Sequence, residues 1–221
     1  MEVLVFVVVG YLLGSVPFGV MVGKIFKGVD VRDYGSGSSG MTNVIRTIGV
    51  RAGALVMLLD MTKSVVAILL ARAFTDIQGA EVAAAAAAMA GHSWPLFAGF
   101  KGGKGIAPGL SALFVLSPIA GLVTLVVGVP IIAVTRYMSL GSMVGTLCAC
   151  VALIVLAATG YVPAVYVWLA VAGGSIVTFR HRENIVSLVK GRERKLGQGA
   201  AEPSPEQKAV RKKGLGWPRS V

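Results

Sequence analysis

Charge is scarce in this chain. Only 14% of its 221 residues are Asp, Glu, Lys or Arg, against about 25% in an average soluble domain. Acidic residues are the scarcer sign, 10 against 21 Lys and Arg, while 55% of the chain is hydrophobic. A disordered chain needs low hydrophobicity and high net charge, so disorder of the whole is excluded, and a water-soluble domain does not suit so apolar a composition. Cysteine is nearly absent: Cys148 and Cys150 sit one residue apart in an apolar run. They are too few for a disulfide framework or a zinc site and read as small core residues. What is abundant is apolar length and glycine, 29 residues of it. The composition is that of an integral membrane protein.

A helix crossing the hydrocarbon needs about 20 mostly apolar residues. Residues 3–23 contain no Asp, Glu, Lys or Arg; residues 52–71 form a second span, enclosing Asp60 and Lys63; residues 82–100 form a third, built on the run Ala83–Ala88. Residues 105–135 and 137–179 are also uncharged, and the latter divides at Gly160-Tyr161-Val162-Pro163. Gly14-Ser15-Val16-Pro17 interrupts the first span and predicts a kink. With no basic n-region or Ala-x-Ala site ahead of it, the first segment reads as a retained helix. Asp60 and Lys63, at i, i+3, are expected to pair and face the bundle, because a lone charge in lipid is costly. Structural support and a part in the site are both open to that pair.

Lys and Arg accumulate on the cytoplasmic side of membrane proteins. An outside N-terminus places Lys24, Lys27, Arg32, Arg46 and Arg51 inside, together with Lys101, Lys104 and the tail from Arg180, which carries most of the net charge of +11. Arg136 joins them only if 105–135 returns to the side it left. Pro108, Pro118 and Pro130 support a broken hairpin of two short helices there. The expected fold is therefore all-α: seven hydrophobic helical segments including that hairpin, N-terminus out and C-terminus in. Residues 1–196 form one transmembrane domain. Residues 197–221, rich in Pro, Gly, Lys and Arg, are expected to be a disordered basic cytoplasmic tail with some attraction to anionic lipid.

Three unusual sequences fall on the predicted cytoplasmic side. The first is Gly35-Ser36-Gly37-Ser38-Ser39-Gly40-Met41-Thr42-Asn43-Val44-Ile45-Arg46, followed by Gly49. Glycine allows successive N–H groups to converge on an anion, and the Ser, Thr and Asn side chains add donors. Thr42 or Asn43 can cap a helix carrying Arg46, and helix N-termini attract phosphate. A plain Gly/Ser turn with an N-cap is the bland alternative. The second is Gly91-His92-Ser93-Trp94-Pro95, then Gly99-Phe100-Lys101-Gly102-Gly103-Lys104-Gly105. Two lysines among glycines make a second phosphate cradle, although positive-inside anchoring and an aromatic interface belt account for parts of it. It is not a Walker A loop: Gly99 is one residue too close to Lys104, and Gly105 stands where Ser or Thr must hold Mg²⁺. The third is Arg180-His181-Arg182-Glu183-Asn184-Ile185. Helical spacing puts His181 and Asn184 on one face, where His can act as acid, base or donor near neutral pH. A solvated basic flank is its alternative.

Taken together and in this order, the loops closely resemble the bacterial acyl-phosphate:glycerol-3-phosphate acyltransferase family (PlsY). The family pattern runs approximately G-S-G-N-x-G-A-T-N-V-x-R-x-x-G, G-H-x-[FW]-P-x-[FW]-x-x-F-x-G-G-K-G and H-R-x-N-I, here Gly35–Gly49, Gly91–Gly105 and His181–Ile185. The resemblance extends from Gly14-Ser15-Val16-Pro17-Phe18-Gly19 to Gly191. Ser38 stands where the family has Asn, and Met41 where it has Ala. The resemblance implies a seven-helix enzyme of the bacterial cytoplasmic membrane, its site on the cytoplasmic face. The reaction it implies is attack of the 1-hydroxyl of glycerol 3-phosphate on a fatty acyl phosphate, giving lysophosphatidic acid and inorganic phosphate, the first step of phospholipid biosynthesis. Ser36, Arg46, Lys104, His181 and Asn184 are then the expected catalytic residues. Gly37, Gly40, Thr42, Asn43, Lys101, Gly102, Gly103 and Gly105 are the expected phosphate-binding ones. Membrane lipid surrounds the enzyme; no metal, cofactor, nucleic acid or obligate protein partner is expected.

Rival chemistries fit less well. A soluble-type glycerolipid acyltransferase needs H-x-x-x-x-D, but Phe97 follows His92 at that spacing and Val186 follows His181. A CDP-alcohol phosphotransferase needs clustered aspartates, and the predicted cytoplasmic loops offer Asp30 and Asp33 only. A transporter or channel for phosphate or an organic anion is the alternative from another class, since glycine-rich broken helices are common there; a non-catalytic scaffold leaves the three loops unexplained.

Overall fold

The apolar segments form helices broken where the sequence places proline and glycine. The structure is a computed structural model describing residues 1–199, and among these it is all-helical. The first segment comprises α1 (Glu2–Gly14) and α2 (Phe18–Lys27). Between them Pro17 has no N–H and disfavours helical backbone at Val16, so the kink falls where the sequence places it. Then follow α3 (Met41–Thr47), α4 (Val50–Phe74), α5 (Gln78–Ser93), α6 (Ile106–Leu116), α7 (Pro118–Thr135), α8 (Met138–Ala158), α9 (Val167–Arg180) and α10 (Arg182–Val189).

Two boundaries differ from expectation. The third segment, read as 82–100, starts at Gln78 and stops at Ser93. Pro95 then turns the chain into a loop holding a 3-10 turn, Leu96–Ala98. The proline-rich segment breaks only at Ser117, with Pro118 opening α7. Pro108 lies in the first turn of α6, where a missing N–H leaves no bond unmade, and Pro130 is accommodated inside α7.

Among the described residues, four helical stretches are long and apolar enough to cross a membrane: Glu2–Lys27, Val50–Phe74, Pro118–Thr135 and Met138–Ala158; Ile106–Leu116 and Ala164–Arg180 are shorter apolar ones. Lipid offers no hydrophobic drive between helices, so close backbone contact between small residues must hold them together. The packing of α1 on α5 shows it. A Cβ added to Gly10 would come 2.4 Å from the Ala84 carbonyl oxygen, and one on Gly14 would come 2.2 Å from that of Ala88. The alanine run lets α5 lie flush against the α1 glycines. The α7–α8 contact is built the same way, with the Gly141 position 2.5 Å from the Gly128 carbonyl oxygen. Within the bundle, Ile68, Leu153, Leu169 and Met89 belong to one buried cluster.

Antiparallel packing gathers one set of helix ends. There α2, α5, α7 and α9 finish and α4, α6 and α8 begin, so the Gly-rich loops, Lys104, Arg136 and His181 share one end of the bundle. At the other end Arg72 clasps the buried Glu81 at 2.7 Å, and the Tyr166 hydroxyl donates to the same carboxylate at 3.2 Å.

Candidate active site

Asn43 organises the first loop. Its side-chain NH₂ donates to the carbonyls of Val31 (2.8 Å), Ser38 (2.8 Å) and Tyr34 (3.1 Å), and its Oδ1 accepts from the Ser36 N–H at 3.0 Å. The buried amide thus folds the backbone around itself. The hydroxyls of Ser36 and Thr42 are left free to line a cleft, and α3 carries Arg46 into the same space. Neither Thr42 nor Asn43 caps the helix: α3 starts at Met41 with Gly40 as its N-cap. A clamp joins this loop to the second one, since Arg32, held by Asp30 at 2.7 Å, donates to the Ala98 carbonyl at 2.6 Å.

The second loop is shaped by packing. The Gly103 N–H donates to the His92 carbonyl at 3.0 Å, and Arg180 donates to the Gly103 (2.9 Å) and Gly102 (3.2 Å) carbonyls from a position over the Trp94 ring. A Cβ on Gly103 would lie 2.0 Å from His92 Nε2. Glycine is therefore required because a buried ring occupies the space. The next residue, Lys104, extends into the cleft and donates to Asn184 Oδ1.

The third sequence spans the junction of α9 and α10. His181 is buried, and its Nδ1–H donates to the Val177 carbonyl at 2.8 Å. This fixes the neutral tautomer with Nε2 as acceptor. Asn184 follows one turn on and donates to Glu193 Oε1 at 2.8 Å; that oxygen also accepts from Ser139 at 2.5 Å. Glu193 belongs to a strap, residues 192–196, that lies along the cleft, where the Arg194 carbonyl accepts from Arg46 at 3.1 Å.

The cleft, about 860 Å³ measured out to its open mouth, is lined by polar groups on the loop side and by Met57, Ile106, Ala107, Leu110 and Met138 toward the bundle. Its cations are tuned by burial. Lys104 is pushed down to about 8, chiefly by desolvation, with Glu193 opposing the shift. His181 is pushed down to about 4, first by desolvation and then by the neighbouring Lys104 charge. Arg46 is lowered by desolvation and by Arg194, and its Nε is a buried donor with no partner among the described residues. At the deep end Asp60 accepts from Lys63 at 2.6 Å, and His92 Nδ1 lies 3.4 Å from the same carboxylate oxygen. The expected pair faces the bundle with both side chains 3% exposed, and Asp60 and His92 also line the cleft.

An open cleft with a guanidinium, an ammonium and two loop hydroxyls at its polar side, and apolar helix faces behind, suits an anionic amphiphile. The family model of glycerol-3-phosphate acyltransferases matches residues 4–191. The chain is 45% identical over 197 residues to the glycerol-3-phosphate acyltransferase of Anaeromyxobacter dehalogenans, covering 87% of this chain and 96% of that one. It is 41% identical over 195 residues to that of Desulforamulus reducens, covering 88% and 96%. The chain belongs to the glycerol-3-phosphate acyltransferase family. Among solved structures it resembles PlsY, an integral membrane glycerol 3-phosphate acyltransferase. The glycerol 3-phosphate form superposes with TM-score 0.81 at 39% identity, covering 89% of this chain and 96% of that one. The lysophosphatidic acid form gives 0.79 at 38%, covering 90% and 97%. Together with its apolar helices, this makes the chain a multi-pass membrane acyltransferase.

Not every expected residue reaches the cleft. Ser36, Gly40, Thr42, Arg46, Lys104, His181 and Asn184 line it. Asn43 lies at its wall with its polar atoms engaged by backbone. Lys101 is exposed and stands away from it, and its carbonyl accepts from Arg32 at 3.4 Å. Gly102 and Gly103 pack on His92 and offer their carbonyls to Arg180. Gly105, at φ +82, turns the chain into α6 beside a separate apolar cavity, and Gly37, at φ +70, turns the first loop behind Ser36. These four glycines shape the loops and lie outside the cleft lining. Glu193, Ser139 and Asp60 do line it. Only Asp60 carried a signal, as a charge inside an apolar run. Glu193 was hidden in a basic flank.

Proposed function

We propose that the chain transfers a fatty acyl group from acyl phosphate to the 1-hydroxyl of glycerol 3-phosphate, releasing lysophosphatidic acid and inorganic phosphate. The proposal includes seven membrane segments, N-terminus out and C-terminus in, in a bacterial cytoplasmic membrane with the cleft facing the cytoplasm. The observation that carries it is the convergence of Arg46, whose buried Nε has no partner among the described residues, and Lys104 on one cleft. Two phosphates of nearly two charges each must come together in this reaction, and they need cations on a water-poor wall. The forms in which the solved PlsY was obtained, with glycerol 3-phosphate and with lysophosphatidic acid, agree with such a site.

Acyl phosphate is a mixed anhydride and needs no covalent enzyme intermediate. The hydroxyl oxygen attacks the acyl carbonyl carbon, and the bond from that carbon to the phosphate oxygen breaks. Arg46 and Lys104 hold the phosphates, Ser36 and Thr42 donate hydrogen bonds to them, and Asn184 and His181 orient glycerol 3-phosphate. His181 meets the substrate with Nε2 as acceptor, and its low proton affinity suits orientation better than proton removal. The released proton passes to a phosphate oxygen, whose second pKa is about 6. Catalysis is by positioning and electrostatics.

Purified protein given palmitoyl phosphate is expected to release phosphate only when glycerol 3-phosphate is present. Lys104→Ala and Ser36→Ala are expected to lower kcat/KM by roughly 10²–10³, the scale of losing one preorganised donor. Phosphate release indifferent to glycerol 3-phosphate, or an acyl adduct trapped on Ser36, would overturn the direct-transfer reading.

A further inference from the structure

A carboxylate inside an anion site calls for an explanation. After α10, Gly191 at φ +64 turns the chain back. Leu196 is then tied to Arg136 from both sides: its N–H donates to the Arg136 carbonyl at 2.6 Å, and the Arg136 guanidinium donates to the Leu196 carbonyl at 2.8 Å. Lys195 lies over the Tyr137 ring. Between these ties Glu193 enters the cleft and is fixed in orientation. Its Oε1 accepts from Ser139 at 2.5 Å and from Asn184 at 2.8 Å, while its Oε2 accepts no hydrogen bond from any described residue. Asn184 also accepts from Lys104, so the free carboxylate oxygen stands one residue away from the phosphate-binding ammonium.

Toward phosphate, this carboxylate is repulsive. It is useful only toward a donor, and the donors that a glycerol phosphate brings are its hydroxyls. One of the two is the attacking group, for which a phosphate dianion is a stronger base than a carboxylate. The other needs an acceptor, and an anchored carboxylate supplies a charge-assisted one. We propose that Glu193 is a specificity-determining residue whose Oε2 accepts from the 2-hydroxyl of glycerol 3-phosphate, with Ser139 and Asn184 holding it in place. This rests on the acyltransfer reading above. It makes the strap a wall of the acceptor subsite, one that selects a vicinal diol phosphate over a simple hydroxyalkyl phosphate.

The test compares glycerol 3-phosphate with 3-hydroxypropyl phosphate, which keeps the attacking hydroxyl and lacks the other. Turnover and calorimetric binding are both measured, in full-length wild type, Glu193→Ala, Glu193→Gln and Ser139→Ala. Wild type is expected to prefer glycerol 3-phosphate. Glu193→Ala and Glu193→Gln are expected to lose about 10–100-fold in kcat/KM for glycerol 3-phosphate and less than about threefold for the deoxy acceptor, with Ser139→Ala showing a smaller loss of the same pattern. Equal losses for both acceptors, including complete inactivity, would overturn the assignment, since Glu193 would then serve the site as a whole. A tighter KM for glycerol 3-phosphate in Glu193→Gln would overturn it too, showing a carboxylate that only repels phosphate. Wild type that binds the diol preferentially, with Glu193 variants that do not, but that transfers no acyl group, would sink the acyltransfer reading and leave the Glu193 assignment standing.

Discussion

Lys104 is half-buried on the wall of the cleft, and its chemistry follows from that. Burial moves it from 10.5 to about 8, so near pH 7 it is charged but held at a cost. In the unfolded chain it would bind protons up to about pH 10.5, so between about pH 8 and 10.5 the unfolded state holds more protons and stability rises with pH. Below pH 8 the buried charge costs about 3 kcal/mol. Lys104→Met is therefore expected to lower kcat/KM by the same roughly 10²–10³ as Lys104→Ala while raising the melting temperature in detergent; a lower melting temperature would show that its bond to Asn184 outweighs desolvation. The same burial sets the pH profile. In wild type kcat/KM is expected to fall above about pH 8 as free enzyme loses the ammonium, whereas kcat should hold to higher pH because bound phosphate retains the proton. His181, at about 4, is neutral from pH 5 to 8 and should contribute no acid limb near 6.5. A limb there that disappears in His181→Gln would contradict this. At this scale the sequence was informative where a cation stands at the end of a glycine-rich loop, as with Arg46 and Lys104. It assigned Asn43 to phosphate, but that amide can serve a ligand or its own loop equally well, and the Val31, Tyr34 and Ser38 carbonyls take it.

The elements show why glycine and alanine were harder to interpret. Gly102 and Gly103 have the composition of a phosphate cradle, yet they are glycine because His92, at the end of α5, fills the space beside them. The reason lies in a contact between the end of α5 and the loop that follows, which periodicity does not record. Ala83–Ala88 is a similar case: as an apolar run it predicts a span, but its small side chains matter because Gly10 and Gly14 of α1 lie against it. The helix breaks were more legible, since Pro17, Pro118 and Pro163 act locally. One consequence is testable at this scale. In Gly103→Ala the new Cβ would fall 2.0 Å from His92 Nε2, so the loop must shift and Lys104, the next residue, shifts with it. A misplacement of about 1 Å costs on the order of 10²-fold in rate. The variant is expected to remain folded, keeping its place in size-exclusion chromatography, and to lose about that much kcat/KM. Unchanged kinetics would mean that the ring yields and that Lys104 is positioned by Asn184 alone.

For the whole molecule, the decisive quantity is how charge is divided between its two ends. Lys104 at the start of α6 and Ser139 just after α7 meet through Asn184 and Glu193, so the chain from 105 to 135 leaves one end of the bundle and returns to it. That return was legible only because Arg136 would otherwise have lain opposite the other basic residues. It brings Lys24, Lys27, Arg46, Arg51, Lys104, Arg136 and Arg180 to a single end, while Arg72, paired with Glu81, sits at the other. Basic residues are retained on the cytoplasmic side, and this asymmetry supports the proposed orientation, with α1 starting outside and the cleft inside. Residues 197–221 are expected to be a disordered basic tail, and from 200 onward they lie outside the described residues. With Cys148 and Cys150 replaced by Ala, a cysteine at Glu2 is expected to react with a membrane-impermeant maleimide in intact cells. One at Ser187 should react only after permeabilisation. The reverse pattern would place the anion cleft outside the cell, away from cytoplasmic acyl phosphate and glycerol 3-phosphate. The proposed orientation would then fail, and the proposed location of the reaction with it.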